Sequence, residues 1–186
     1  KFALKSYRKF VGETPSNYKL VYNTVNDKDF YPISNNSSNK KIKKILVAGN
    51  FYNESEDYRV ILAIEVINSL IKKGLNLKLI IAGNLSDRLI NKINKNNFRF
   101  IEFFGPYNPK NANKLFNSAD FYLHLHYMGC CDNILLEIMA CGLHIIALNN
   151  GGNPELLMSD YSTLIPCPNN SSALSTLSGD WEQRRR

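Results

Sequence analysis

No uninterrupted apolar stretch of this 186-residue chain approaches the roughly 20 residues that a membrane span needs. Residues Lys1–Phe10 also lack an apolar leader segment. Neither anchor nor signal peptide is expected, so the chain reads as cytoplasmic, with any membrane contact confined to its periphery. Cysteine is scarce and poorly spaced for chemistry: Cys130, Cys131, Cys141 and Cys167 form no CxxC pairs, and adjacent cysteines seldom bridge each other. Reduced thiols are expected, with Cys141 a small buried residue beside Gly142. Acid is the scarcer charge, 16 Asp and Glu against 23 Lys and Arg, for a formal net charge of +7. The excess sits in local runs, Lys40, Lys41, Lys43 and Lys44 and then Arg184, Arg185 and Arg186, with no stacking-aromatic or base-reading motif beside them. Nucleic acid is therefore not an expected partner; an anionic lipid surface suits such flanks better.

What is present is a 44% hydrophobic content, enough for a substantial single core. A Ser- and Asn-rich stretch, 34–39, separates the first part of the chain from an apolar run beginning at Ile42. We divide the chain into a segment and linker over 1–39, a domain over 40–168 and a Ser-rich tail over 169–186. Within the domain, strands are expected at 44–48, 77–82, 99–104, 120–125, 143–148 and 162–165. Helices are expected near 57–73, 86–95 and 110–118, and from 134 onward. The first helix rests on Val60, Ile61, Ile64, Ile67, Leu70 and Ile71, which recur at three- and four-residue steps and end at Gly74. Alternating strands and helices predict an α/β fold, a parallel sheet covered on both faces.

In such sheets ligands bind beyond the carboxyl ends of the strands. The turns expected there are Gly49-Asn50, Gly83-Asn84, Gly105-Pro106, His126–Asp132 and Asn149–Gly152, whose glycines let backbone approach a ligand. Residues 121–155 read as one site: strand, loop, helix, strand, then the glycine turn Gly151-Gly152 before Pro154 and Glu155. A loop feeding a helix start offers unpaired N–H groups, which suit a phosphorylated ligand. Asn133 is a good N-cap and Asp132 another, which puts Glu137 near the first turn of that helix. Its two carboxylate oxygens could accept both hydroxyls of a ribose, or simply favour a helix N-terminus. His124 and His126 point to one side of a strand, but no third ligand has suitable spacing, so no metal is expected.

The run Cys131-Asp132-Asn133-Ile134-Leu135-Leu136-Glu137-Ile138-Met139-Ala140-Cys141-Gly142, followed by Gly151-Gly152-Asn153-Pro154-Glu155, resembles the donor-domain signature of family 4 retaining glycosyltransferases. Upstream, Tyr22-Asn23-Thr24-Val25-Asn26-Asp27 with Phe30-Tyr31-Pro32 is similar to the segment that leads into that domain. The resemblance covers roughly 17–166 and implies a Rossmann-like, doubly wound sheet, the C-terminal half of a GT-B enzyme. It further implies a nucleotide-diphosphate sugar as donor substrate, no cofactor, and a separate N-terminal acceptor domain that residues 1–33 are too few to build. By resemblance Glu137 is the second glutamate of an E-x7-E motif and holds the nucleotide ribose. The first acidic position falls on Gly129, which has no side chain to bond the sugar. Where relatives carry an arginine and a lysine for the diphosphate, this chain has Asn50 and Glu56, with Arg59 nearby. The nucleotide-sugar set is therefore Glu137, Gly129, Asn133, Gly49, Asn50, Arg59, Gly83, Gly105, Gly151 and Gly152; no catalytic group is assigned. Two other readings stay open: a degenerate, non-catalytic nucleotide- or sugar-binding module, and a GT-B epimerase.

Overall fold

The computed structural model describes residues 8, 12, 19, 21–34, 42–51, 56–96, 98–127, 129–157 and 160–167. The Ser/Asn stretch beyond Ser34, Lys40 and Lys41, and the tail with its terminal arginines lie outside the described residues.

Six strands form one sheet, every pairing parallel: β1 Lys43–Phe51, β2 Leu77–Leu85, β3 Ile101–Gly105, β4 Phe121–His124, β5 His144–Leu148 and β6 Ser162–Ile165. Their order is β3-β2-β1-β4-β5-β6, the doubly wound arrangement that the alternation predicts. Among the described residues, five helices connect them: α1 Asp57–Lys72, α2 Asp87–Asn96, α3 Pro109–Asn117, α4 Asn133–Ala140 and the short α5 Asn153–Leu156. Among the described residues, no helix is long and apolar enough to cross a membrane.

The period-two side-chain alternation of β1 divides the core. Leu46 and Ala48 face one way, into a cluster with Leu115, Phe116, Leu135 and Ile138 of α3 and α4. Ile45 and Val47 face the other, against Val60, Ile64 and Ile67 of α1 and Leu89 and Ile93 of α2. Both faces are thus buried, which is why the central strands read as apolar runs. The helix bounds follow local chemistry. At α3, Asn108 accepts from the backbone N–H of Lys110 and Asn111, and the Asn111 side chain accepts from the Asn108 N–H. Pro109 then occupies the first helical turn without losing a needed donor.

Two strands run further than expected. β1 and β2 stay paired through Gly49↔Gly83 and Asn50↔Asn84, where turns are expected from the sequence, and on to Phe51↔Leu85. A glycine pair permits this, because a Cβ at Gly83 would stand 1.7 Å from the Gly49 carbonyl oxygen. β3 is shorter at its start, since Arg99 and Phe100 form a turn.

Upstream of β1, Phe30 is buried and stacks on Phe116 of α3, ring centroids 5.9 Å apart. The backbone beside it is fastened to the same helix: Tyr31 N–H donates to Asn113, Ile33 N–H donates to Asn117, and Asn117 returns a bond to the Tyr31 carbonyl. The Asn23 side chain donates to Asn133 Oδ1 at 2.7 Å, so the upstream motif touches the start of α4.

Candidate nucleotide-sugar site

From β1 the sheet grows outward through β2 and β3; from β4 it grows the other way through β5 and β6. The carboxyl ends of β1 and β4 therefore flank a topological switch point, where chain connections diverge and leave a crevice. A cavity of about 390 Å³ lies there, lined by Gly49, Asn50 and Arg59 on one side and His124, His126 and Asp132 on the other. Gly83, Asn84, Tyr107 and Ile134 complete its wall. A second, more apolar hollow of about 500 Å³ shares Gly83 and Asn84 and extends to Phe103, Gly105 and Pro106.

Arg59 faces the cavity rather than bulk solvent. Its guanidinium lies over the Phe51 ring, 4.7 Å from the centroid, and donates to the Asn50 carbonyl at 3.0 Å. Nε stands 2.8 Å from the Glu56 carboxylate. The cation is thus positioned by β1 and half-neutralised by the residue that occupies the expected lysine position. Asn50 is engaged as well, its Oδ1 accepting from Asn84 Nδ2 at 2.9 Å.

Across the crevice, Asp132 holds the N-cap position of α4 but makes no side-chain cap bond. Its Oδ2 turns to the strand end instead, 2.6 Å from His126 Nδ1 and 3.1 Å from His124 Nε2. Burial raises the Asp132 carboxyl, but the facing His124 and His126 imidazoles outweigh that and hold it below the ordinary carboxylate range. His124 is 2% exposed, and its burial depresses the imidazole pKa despite the facing carboxylate. The expectation that no third ligand accompanies the two histidines is corrected here: Asp132 supplies one, because the chain doubles back between β4 and α4. His144 lies elsewhere, against Thr163 at 2.9 Å between β5 and β6.

Asn133 opens α4 with its side chain committed to Asn23. Glu137, one turn further, is partly buried, and among the described residues no side chain donates a hydrogen bond to it. Burial raises its pKa. Tyr107 faces it, and burial together with the Glu137 charge pushes the Tyr107 phenol up to about 12. Glu137 does not line the cavity; Ile134 and Tyr107 do, which puts the glutamate at its margin.

Gly129 lies where a Cβ would meet Asp132 Oδ2 at 2.9 Å and His126 Nδ1 at 3.1 Å. The histidine–aspartate cluster thus fills the space that a side chain there would need. Its carbonyl accepts from Gly152 N–H at 2.7 Å, and a Cβ on Gly152 would stand 1.9 Å from the Cys130 carbonyl oxygen. Gly152 is accordingly a packing glycine between two loops, with Gly151 preceding it in the same turn. Gly105 belongs to the apolar hollow rather than to the β1–β4 cavity. Tyr107 and Ile134 line the cavity although neither is in the nucleotide-sugar set expected from the sequence; tyrosine next to the Gly105-Pro106 turn is the available signal.

A doubly wound sheet with a polar cavity at its switch point and a signature helix beside it is the architecture of the C-terminal half of a GT-B glycosyltransferase. Residues 42–177 match the family Glycosyl transferases group 1, and the chain belongs to that family. Among curated proteins none matches by sequence. Solved structures match by shape. Sucrose-phosphate synthase from Thermosynechococcus elongatus superposes with a TM-score of 0.68 at 17% identity, over 97% of this chain and 46% of that one. WaaG, a glycosyltransferase of lipopolysaccharide biosynthesis, gives 0.66 at 20% identity, over 93% and 49%. The C-terminal domain of a group 1 family protein, LpcC from Francisella tularensis, gives 0.53 at 20% identity, over 82% and 84%. The chain thus spans about half the length of the first two and most of the isolated C-terminal domain.

Proposed function

We propose that this domain binds a nucleotide-diphosphate sugar in the β1–β4 cavity and, joined to an acceptor-binding domain, acts as the donor half of a retaining glycosyltransferase. The observation that carries the reading is the cavity at the switch point, bordered by Arg59 from one side and by Asp132 and Ile134 at the start of α4 from the other, with Glu137 one turn further along that helix. In this reading Glu137 accepts the ribose hydroxyls, since its carboxylate is partly shielded from water and no side chain among the described residues donates to it. The diphosphate lies against the Gly49-Asn50 backbone and Arg59, and the base occupies the apolar hollow against Phe103. Group transfer needs a facing acceptor domain, so the protein in which this chain is joined to one is the catalyst.

The test is calorimetric titration with UDP, GDP, ADP and the corresponding nucleotide sugars, on wild type and Glu137→Ala. Saturable binding of one nucleotide that the substitution weakens supports the donor site; no binding by any of them removes it. A second reading, a non-catalytic binding module, is favoured by Gly129 and by the pairing of Arg59 with Glu56. Donor hydrolysis by the full-length protein separates the two: turnover supports the transferase, and nucleotide binding without turnover supports the module. Conversion of free nucleotide sugar without acceptor would instead mark an epimerase.

A further inference from the structure

We propose that His124, His126 and Asp132 form a binding site for a divalent transition metal ion at the end of β4. The three residues offer two imidazole nitrogens and one carboxylate oxygen, all within 4.8 Å of one another. Ligands of a tetrahedral ion with bonds of about 2.0–2.2 Å stand roughly 3.4 Å apart, so little movement separates the present spacings of 2.6 and 3.1 Å from a coordinating set. The side chains converge from three places in the chain: His124 from the last residue of β4, Asp132 from the N-cap of α4, and His126 from the loop between them.

The second observation is an orphaned atom. His124 is 2% exposed, yet its Nε2 has no hydrogen bond of acceptable geometry among the described residues, although Asp132 Oδ2 lies 3.1 Å away. Buried imidazole nitrogens rarely go unsatisfied, and this one is aimed at the other two ligand atoms. A metal would satisfy it directly.

Ligand chemistry selects the ion. Two imidazoles with one carboxylate suit Zn²⁺, Co²⁺ or Ni²⁺, whereas Mg²⁺ prefers an all-oxygen shell. Three protein ligands leave coordination positions open, and the cluster lines the 390 Å³ cavity, so those positions meet whatever the cavity holds. The ion would bring positive charge to a cavity whose Arg59 is already paired with Glu56. The metal site does not depend on the nucleotide reading, and its test does not involve a nucleotide.

Chelator-treated protein is titrated with Co²⁺, followed by visible absorption, and with Zn²⁺, followed by calorimetry and thermal melting. The expected result is one ion per chain, ligand-field bands without thiolate charge-transfer absorption, a raised Tm, and no competition from Mg²⁺. Asp132→Asn and His126→Gln, checked for folding by circular dichroism, should each weaken Zn²⁺ binding at least tenfold. A Cys130→Ser, Cys131→Ser double variant should bind as wild type does. The inference is overturned if wild type gives no ligand-field spectrum, if the thiol variant abolishes binding, or if folded Asp132→Asn binds undiminished. Should both site variants fail to fold, the wild-type cobalt spectrum decides.

Discussion

Two carboxylates flank the start of α4, and they live in opposite conditions. Asp132 is bonded to His126, stands 3.1 Å from the His124 imidazole and is kept ionised; Glu137 is desolvated, and no side chain among the described residues donates to it. The first has its hydrogen bonds inside the protein, and the second has acceptor capacity left over. Hydrogen-bonding state, more than proximity to the cavity, separates a group that builds the site from one that can receive a ligand. The glutamate of the signature is the open one. The aspartate has no such place in the signature, yet it organises the loop between β4 and α4.

The strongest way to break this contrast is to remove the organiser. In chelator, Asp132→Ala takes the hydrogen-bond partner from half-buried His126 and the facing carboxylate from buried His124; it should cost about 1–3 kcal/mol in urea denaturation. Glu137→Ala, by the same measurement, should stay within about 0.5 kcal/mol of wild type. Next comes ligand affinity: Glu137→Ala should weaken the preferred nucleotide about tenfold, roughly 1.4 kcal/mol. The 2′-deoxy analogue should bind wild type more weakly than the ribonucleotide and bind Glu137→Ala equally well, closing a double-mutant cycle on the ribose hydroxyl. Unequal binding by the variant would place the ribose elsewhere.

pH sharpens the comparison further, because the two groups have shifts of opposite sign. The folded pKa of Glu137 lies above its ordinary 4.5, so the folded state favours its proton, and its contribution to stability is present below pH 4.5 and lost as pH rises through the folded value. Glu137→Gln should therefore be slightly stabilising at pH 7, and the gain should shrink as pH falls toward 4.5. Asp132 is shifted down from 3.8, so its contribution persists above that value and is lost only as pH falls further. A deficit for Asp132→Asn, measured with chelator, should consequently not shrink between pH 7 and 4.5, because protonation of the facing imidazoles only strengthens what the carboxylate contributes. The smallest effect belongs to a third carboxylate. Glu102 is bonded by Lys78 at 2.7 Å and lowered by it, but both side chains are more than a third exposed. Lys78→Ala should change stability by less than about 0.5 kcal/mol in a thermal melt, showing that an ion pair in solvent does not do what the buried cluster does.

The sheet and its helices were legible because their signals are local. Val60, Ile64 and Ile67 repeat at helical spacing, and Leu79, Ile80 and Ile81 form a short run that only a strand buried on both faces requires. The glycines were legible in kind but not in place. Gly49 and Gly83 read as turns, whereas they are paired partners that let two strands continue. The Asp132 cluster was illegible for another reason. Sequence shows His124 and His126 in step along a strand, but whether a residue beyond a loop returns to meet them depends on the loop's path. Likewise, nothing local says that Arg59, one turn into α1, folds back to the Asn50 carbonyl.

The abutment of Gly152 on the Cys130 carbonyl has a practical meaning for anyone diversifying this cleft. The loops after β4 and β5 touch backbone to backbone, with a hydrogen bond from Gly152 to Gly129 and no room for a methyl group between them. A library that substitutes Gly152 while the loop after β4 keeps its path will lose those members to misfit. Residues 126–132 and 149–152 form a single unit of variation, to be grafted or exchanged together.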